Sequence, residues 1–203
     1  MNYKRFPLGA LWTNGYLFWD DDTKEAFFVD PGGDTSDVRE YITANGLKLT
    51  MILLTHGHID HIAGIHELVP FVGGNIYIGE KDAFMLRNPS GQLQALLGVH
   101  CEGLDDFKTV SEGSIIDFPG CTIKVMETPG HTPGSVCLIA GDVLFSGDTL
   151  FRHAYGRVDH PGGDLDEEFR SIRRLLRLDK DYLVLSGHGR PTTLFQEREL
   201  YLK

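Results

Sequence analysis

The chain has 203 residues and a mass of 22.7 kDa, with 41% hydrophobic and 24% charged residues, proportions that suit a globular fold with a full core. A net charge of −10 leaves little of the basic surface that nucleic acid or an anionic membrane requires, so neither is an expected partner. Three cysteines, an odd number without Cys-x-x-Cys spacing, argue against a disulfide framework and a thiolate metal site and suit free thiols in a reducing compartment.

The first residues hold no apolar run of signal-peptide length, and no run reaches the roughly 18 residues of a membrane span, so a cytoplasmic protein is expected. Tyr16-Leu17-Phe18-Trp19 and Ala26-Phe27-Phe28-Val29, separated by Asp20-Asp21-Asp22, predict a hairpin. Asp30-Pro31-Gly32-Gly33 stops the second strand, and a helix capped near Asp34 should follow, with Val38, Tyr41 and Ile42 facing inward. The apolar run Met51-Ile52-Leu53-Leu54 predicts a strand buried on both faces. Ile62, Ile65, Val69 and Val72 share a helical register and predict one helix over 62–72, before a strand at Ile76-Tyr77-Ile78. Residues 81–107 read as irregular, with helical pieces around Phe84-Met85-Leu86 and Leu93 to Leu97. The second half returns to strands over 114–118, 122–126, 136–139 and 143–145. Asp164 then caps a helix, Glu167 completes a capping box, and Leu165, Phe169, Ile172 and Leu176 form its apolar stripe. A last buried strand, 182–185, leads into Ser186-Gly187-His188. This order predicts one domain over residues 1–203, an α/β (α+β) fold of two mixed sheets face to face with helices outside.

The chemistry concentrates in Thr55-His56-Gly57-His58-Ile59-Asp60-His61, between the buried strand and a helix. His56 and His58 are two apart in extended backbone and so project to one side. Asp60 and His61 fall at the helix start, where the positive end of the dipole should help keep His61 a neutral ligand. One segment cannot enclose a metal alone. Three further candidates follow apolar strands in glycine-rich turns: His131 in Pro129-Gly130-His131-Thr132-Pro133-Gly134, Asp148 in Ser146-Gly147-Asp148-Thr149, and His188 in Ser186-Gly187-His188-Gly189.

With these motifs, and with Val29-Asp30-Pro31-Gly32 and Gly156-Arg157, the chain resembles the metallo-β-lactamase superfamily and, within it, the short glyoxalase II-like hydrolases. The resemblance implies an αββα sandwich holding two divalent metal ions. His56, His58 and His131 would hold the first ion, Asp60, His61 and His188 the second, and Asp148 would bridge them. Asp30 matches an early aspartate that supports a ligand from behind; the alternative is a plain turn residue. The all-N/O donor set suits zinc first, with iron and manganese accepted. The implied activity is hydrolysis of S-lactoylglutathione or a related acyl thioester by a metal-bridging hydroxide, with Asp60 and Asp148 the catalytic carboxylates and a small-molecule thioester the partner. The helical C-terminal region of longer glyoxalase II enzymes is expected to be missing, because only residues 189–203 follow His188. Arg157 matches a basic contact to glutathione, or else forms an ion pair with Asp159 or Asp164. The alternative on the same fold is a persulfide dioxygenase with one iron on His56, His131 and Asp148. His66, His100, His153 and His160 read as surface or packing residues, with His153 and His160 flanking the expected mouth.

Overall fold

A computed structural model describes residues 2–201. The first half forms β1 (Asn2–Leu8), β2 (Thr13–Trp19), β3 (Glu25–Val29), α1 (Ser36–Ala44), β4 (Lys48–Leu53), α2 (Ile59–Ile62), α3 (Ile65–Val72), β5 (Ile76–Gly79), α4 (Ala83–Arg87), α5 (Gly91–Leu97) and β6 (Lys108–Val110). The second forms β7 (Ile115–Phe118), β8 (Cys121–Glu127), β9 (Val136–Ala140), β10 (Val143–Gly147), α6 (Leu165–Leu176), β11 (Leu183–Ser186), β12 (Thr192–Thr193) and α7 (Leu194–Tyr201). Each half makes one six-stranded sheet, in the orders β1-β2-β3-β4-β5-β6 and β12-β11-β10-β9-β8-β7. Both are mixed: β3, β4, β5 and β6 run parallel, as do β10 and β11, and the other neighbours are antiparallel.

The period of two in the strands divides the interior into three cores. Phe27, Val29, Leu53, Leu138, Phe145 and Leu185 face the space between the sheets. Their neighbours Phe28, Ile52 and Leu54 turn outward onto Val38, Ile42, Ile65 and Leu68 of α1 and α3. Cys137, Leu144 and Val184 turn outward on the other side, onto Ile172, Leu175 and Leu194 of α6 and α7. The continuous apolar runs are therefore strands covered on both faces, and the layers are helix, sheet, sheet, helix, as expected.

Several local expectations fail, each for a tertiary reason. The helix expected over 62–72 is two helices. The Gly64 N–H donates to the Pro31 carbonyl at 2.8 Å, and a Cβ on Gly64 would strike the Gly33 carbonyl oxygen. The turn after β3 thus interrupts the helix, and only glycine admits it. Asp34 does not cap α1. Its carboxylate accepts from the Ser36 N–H at 2.8 Å, while the residue at the cap position, Thr35, bonds Glu67 instead. In α6, Asp164 accepts from Glu167 N–H at 2.9 Å as expected. The return half of the capping box is absent, since Asp164 N–H bonds the Gly130 carbonyl and Glu167 pairs with Arg170. The buried stripe of α6 is Glu168, Ser171, Ile172, Leu175 and Leu176, and Leu165 is 45% exposed. β1, β6, β12 and α7 were not anticipated.

Candidate metal centre

The expected donors, with Asp30, follow the C-terminal ends of five strands: Asp30 follows β3, the His56–His61 segment β4, His131 β8, Asp148 β10 and His188 β11. The structure brings all seven expected donors together. His56, His58 and His131 offer ring nitrogens within 4.8 Å of one another, as do the donor atoms of Asp60, His61 and His188, and those of His56, His61 and Asp148.

In the first group, His131 Nε2 lies 2.9 Å from His58 Nδ1 and 3.2 Å from His56 Nε2. Their hydrogen bonds assign the tautomers. His131 Nδ1 faces the Arg157 carbonyl at 2.6 Å and must donate, leaving a lone pair on Nε2. Thr55 Oγ1 donates to Asp30 at 2.6 Å and so accepts from His56 Nδ1 at 3.1 Å, which leaves His56 Nε2 bare as well. Burial, reinforced by the neighbouring rings, pushes His56 well below its ordinary pKa and brings His58 down to about 3; burial also lowers His131. In all three, burial favours the neutral imidazole that a metal requires.

The second group mixes imidazoles with carboxylates. His61 Nδ1 lies 2.9 Å from Asp30 Oδ2, and its Nε2 faces Asp148 Oδ1 at 3.4 Å and Asp60 Oδ2 at 3.7 Å. His188 Nε2 stands 3.3 Å from Asp60 Oδ2 and 3.5 Å from Asp148 Oδ2. Burial disfavours a charge on His61, but the Asp148, Asp60 and Asp30 carboxylates outweigh it and hold its pKa well above the ordinary value. Burial opposes the charge on Asp60 too, yet His61 and His188 keep that carboxyl below its usual range. His61 lies in the last turn of the four-residue α2, so these carboxylates, not a helix dipole, govern its proton.

The donors fit cations. Without one, His61 Nε2 and Asp148 Oδ1 are buried with no hydrogen-bond partner, an arrangement that ordinarily costs stability. Asp148 Oδ1 faces His61, and Oδ2 faces both His131 at 3.6 Å and His188, so this carboxylate spans the two groups. Glycine is required beside it: a Cβ on Gly187 would meet Asp148 Oδ1 and His61 Cε1. Since the donors converge only when the chain is folded, zinc bound by them, at a hundredfold excess over its Kd, should raise Tm by about 5–10 °C, with EDTA reversing the shift. A differential scanning fluorimetry titration showing no shift would remove the metal assignment.

The layer behind the donors contains residues that sequence reading missed. Asp82, fully buried, accepts from Gly57 N–H at 3.0 Å, Thr132 Oγ1 at 2.7 Å and Gly134 N–H at 2.7 Å, locking the two histidine turns together. Glu168, buried on α6, accepts from His131 N–H at 2.8 Å, and burial raises its pKa to about 8. Thr13 Oγ1 donates to Asp60 at 3.3 Å. The only sequence signal for Glu168 was its place on the inner side of an amphipathic helix. The site opens through a cavity of about 240 Å³ whose lining includes Leu11, Phe151, Arg157 and His160. Arg157 reaches this mouth, but Asp159 grips its guanidinium with two 2.6 Å bonds. The His160 ring centroid stands 5.4 Å from that of His58. His66 bonds the Glu102 carbonyl, and His153 is half-exposed beside Glu197.

A family model for the metallo-beta-lactamase superfamily matches residues 9–188, and the chain belongs to that superfamily. It is 36% identical to a protein named hydroxyacylglutathione hydrolase GloC from Haemophilus influenzae, over 98% of this chain and 95% of that one. Among solved structures, BLEG-1, described as a B3 metallo-beta-lactamase, superposes with a TM-score of 0.88 at 35% identity, covering 98% of this chain and 97% of that one. TTHA1623 in a di-iron-bound form gives a TM-score of 0.85 at 32% identity and 96% coverage of each chain.

Proposed function

We propose that this chain is a binuclear metal-dependent thioester hydrolase of the hydroxyacylglutathione hydrolase type, acting on S-lactoylglutathione or a related acyl thioester. The observation that carries the reading is the pair of donor groups joined by Asp148; the likeness to GloC over nearly the whole length of both chains supports the substrate class. His56, His58 and His131 would hold one ion, and Asp60, His61 and His188 the other. Asp148 would serve both, and Asp30 would hold His61 from behind. Two divalent ions, zinc first, supply Lewis acidity and lower the pKa of bound water from 15.7 to about 7.

The protein's own groups supply the remainder. The hydrogen bonds from His131, His61 and His56 to Arg157, Asp30 and Thr55 fix each ring with its other nitrogen toward the centre. Asp60, steadied by Thr13 and placed 16% exposed at the edge of the site, is positioned to accept a proton from the attacking water as well as to ligate. Reducing cytoplasm suits Cys101, Cys121 and Cys137, none of which is in a disulfide.

Arg157 is an exposed cation already paired with Asp159, and solvent-exposed charges interact weakly. Arg157→Ala should therefore raise KM for S-lactoylglutathione by at most about fivefold with kcat unchanged. A larger rise in KM would make Arg157 a true glutathione contact. The reading as a whole is tested by metal analysis coupled to hydrolysis assays. Two ions per chain and zinc-dependent turnover of S-lactoylglutathione are expected. Saturation at one iron with oxygen-dependent persulfide turnover would indicate a dioxygenase instead. Faster hydrolysis of a β-lactam than of any thioester would favour the activity for which BLEG-1 is named.

A further inference from the structure

A second cavity, of about 230 Å³, adjoins the mouth of the metal centre and shares His58 and His160 with it. Its far wall comes from α4 and α5, which carry Phe84, Met85 and Leu93 into it, with Asn88 beside them. Nothing in the chemistry above uses this wall. Phe84 is 56% exposed, and Met85 and Leu93 are half-buried, so apolar side chains stand partly bare within reach of a reactive centre. Among the described residues, no lysine or arginine lines the cavity.

We propose that this cavity binds the acyl chain of the thioester and makes the protein selective for medium-length apolar acyl groups over the short, hydroxylated lactoyl group. The assignment rests on the thioester-hydrolase reading. A thioester held with its carbonyl at the donor cluster extends two arms. A glutathione arm carries two carboxylates, which call for cations that the cavity lacks. That arm leaves by the mouth, past Arg157, and the acyl arm passes His58 into the cavity. At about 30 Å³ per water-sized group the volume accommodates about eight such groups, far more than a lactoyl group fills. Each methylene buried there should increase kcat/KM up to about fourfold.

The test uses the metal-loaded full chain and S-acyl glutathiones with acetyl, butanoyl, hexanoyl and octanoyl groups. From acetyl to hexanoyl, kcat/KM should rise at least about tenfold. Leu93→Trp, which fills the cavity, should abolish the rise with chain length. An independent readout comes from methyl-¹³C methionine NMR with hexanamide as the probe. The chain has four methionines, and the Met85 methyl alone should shift saturably, in metal-free as in metal-loaded protein. A flat acyl series with an unmoved Met85 overturns the acyl site and leaves the hydrolase reading standing. A responsive Met85 with no thioester turned over sinks the hydrolase reading, and the acyl assignment with it.

Discussion

Asp148→Ala should lower kcat/KM for thioester hydrolysis by at least about a hundredfold, the scale seen on removing an essential electrostatic group. The loss has two physical sources. The substitution removes the one carboxylate whose oxygens face both donor groups, His61 through Oδ1 and His131 and His188 through Oδ2. It would also remove negative charge from between the two cations that the donor groups would hold, whose mutual repulsion in a buried site would be severe. Bound zinc, measured by elemental analysis after dialysis, should fall from about two per chain toward one. The fold should persist, because Asp148 lies in the turn after β10 and its backbone carbonyl, which accepts from the Gly156 N–H at 2.8 Å, is kept in the variant. Metal-free variant and metal-free wild type should therefore melt at similar temperatures and separate only when zinc is added. The two nearby candidates from the sequence are committed elsewhere: Asp30 to Thr55 and His61, and Asp159 to Arg157. Retention of two tightly held ions with near-normal turnover would mean that Asp148 does not join the two groups.

The clustering of the seven candidate residues was readable because the motif residues are local. His56, His58, Asp60 and His61 fall within six residues at the end of an apolar strand, and each remaining donor sits in its own glycine-rich turn after another. Sheets and layers were readable for the same reason, since runs such as Met51 to Leu54 have no polar side to expose. What escaped the sequence depends on partners far along the chain. The break at Gly64 is imposed by a carbonyl some thirty residues earlier. Asp82 and Glu168 look like ordinary surface acids until residues 25 to 52 positions away place N–H and O–H groups against them. β1 shows no core signal because it is an edge strand with Phe6 and Leu8 as its only buried residues. The α6 stripe was misjudged by following apolar residues alone, which admits Leu165 and passes over the buried Glu168 and Ser171.

Asp30 offers a sharper test, because its two simplest substitutions should fail differently. The residue sits at φ 54° in the left-handed region, which Asp and Asn tolerate far better than alanine does. Oδ1 accepts from the Thr55 N–H at 2.8 Å, and Oδ2 accepts from Thr55 Oγ1 at 2.6 Å and His61 Nδ1 at 2.9 Å. Asp30→Ala leaves three buried donors without a partner at about 1–3 kcal/mol each. It also puts alanine in a left-handed backbone, so a large fall in stability of the metal-free chain is expected, much of a typical 5–15 kcal/mol. Asp30→Asn keeps the backbone conformation, and its amide oxygen can still accept from the Thr55 N–H. Its NH₂ then faces His61 Nδ1, which can no longer donate there. His61 shifts to the tautomer protonated on Nε2, with the proton on the atom that faces Asp60 and Asp148. The asparagine variant should thus fold with a Tm near that of wild type while zinc affinity at the Asp60, His61 and His188 group drops about 10- to 100-fold, the usual cost of disturbing a group that orients a metal-binding histidine. Chelator competition measures the affinity, and ¹⁵N imidazole NMR reports the His61 tautomer directly. If Asp30→Asn binds both ions as tightly as wild type, with His61 still protonated on Nδ1, then Asp30 serves the turn after β3 and has no hold on the metal centre.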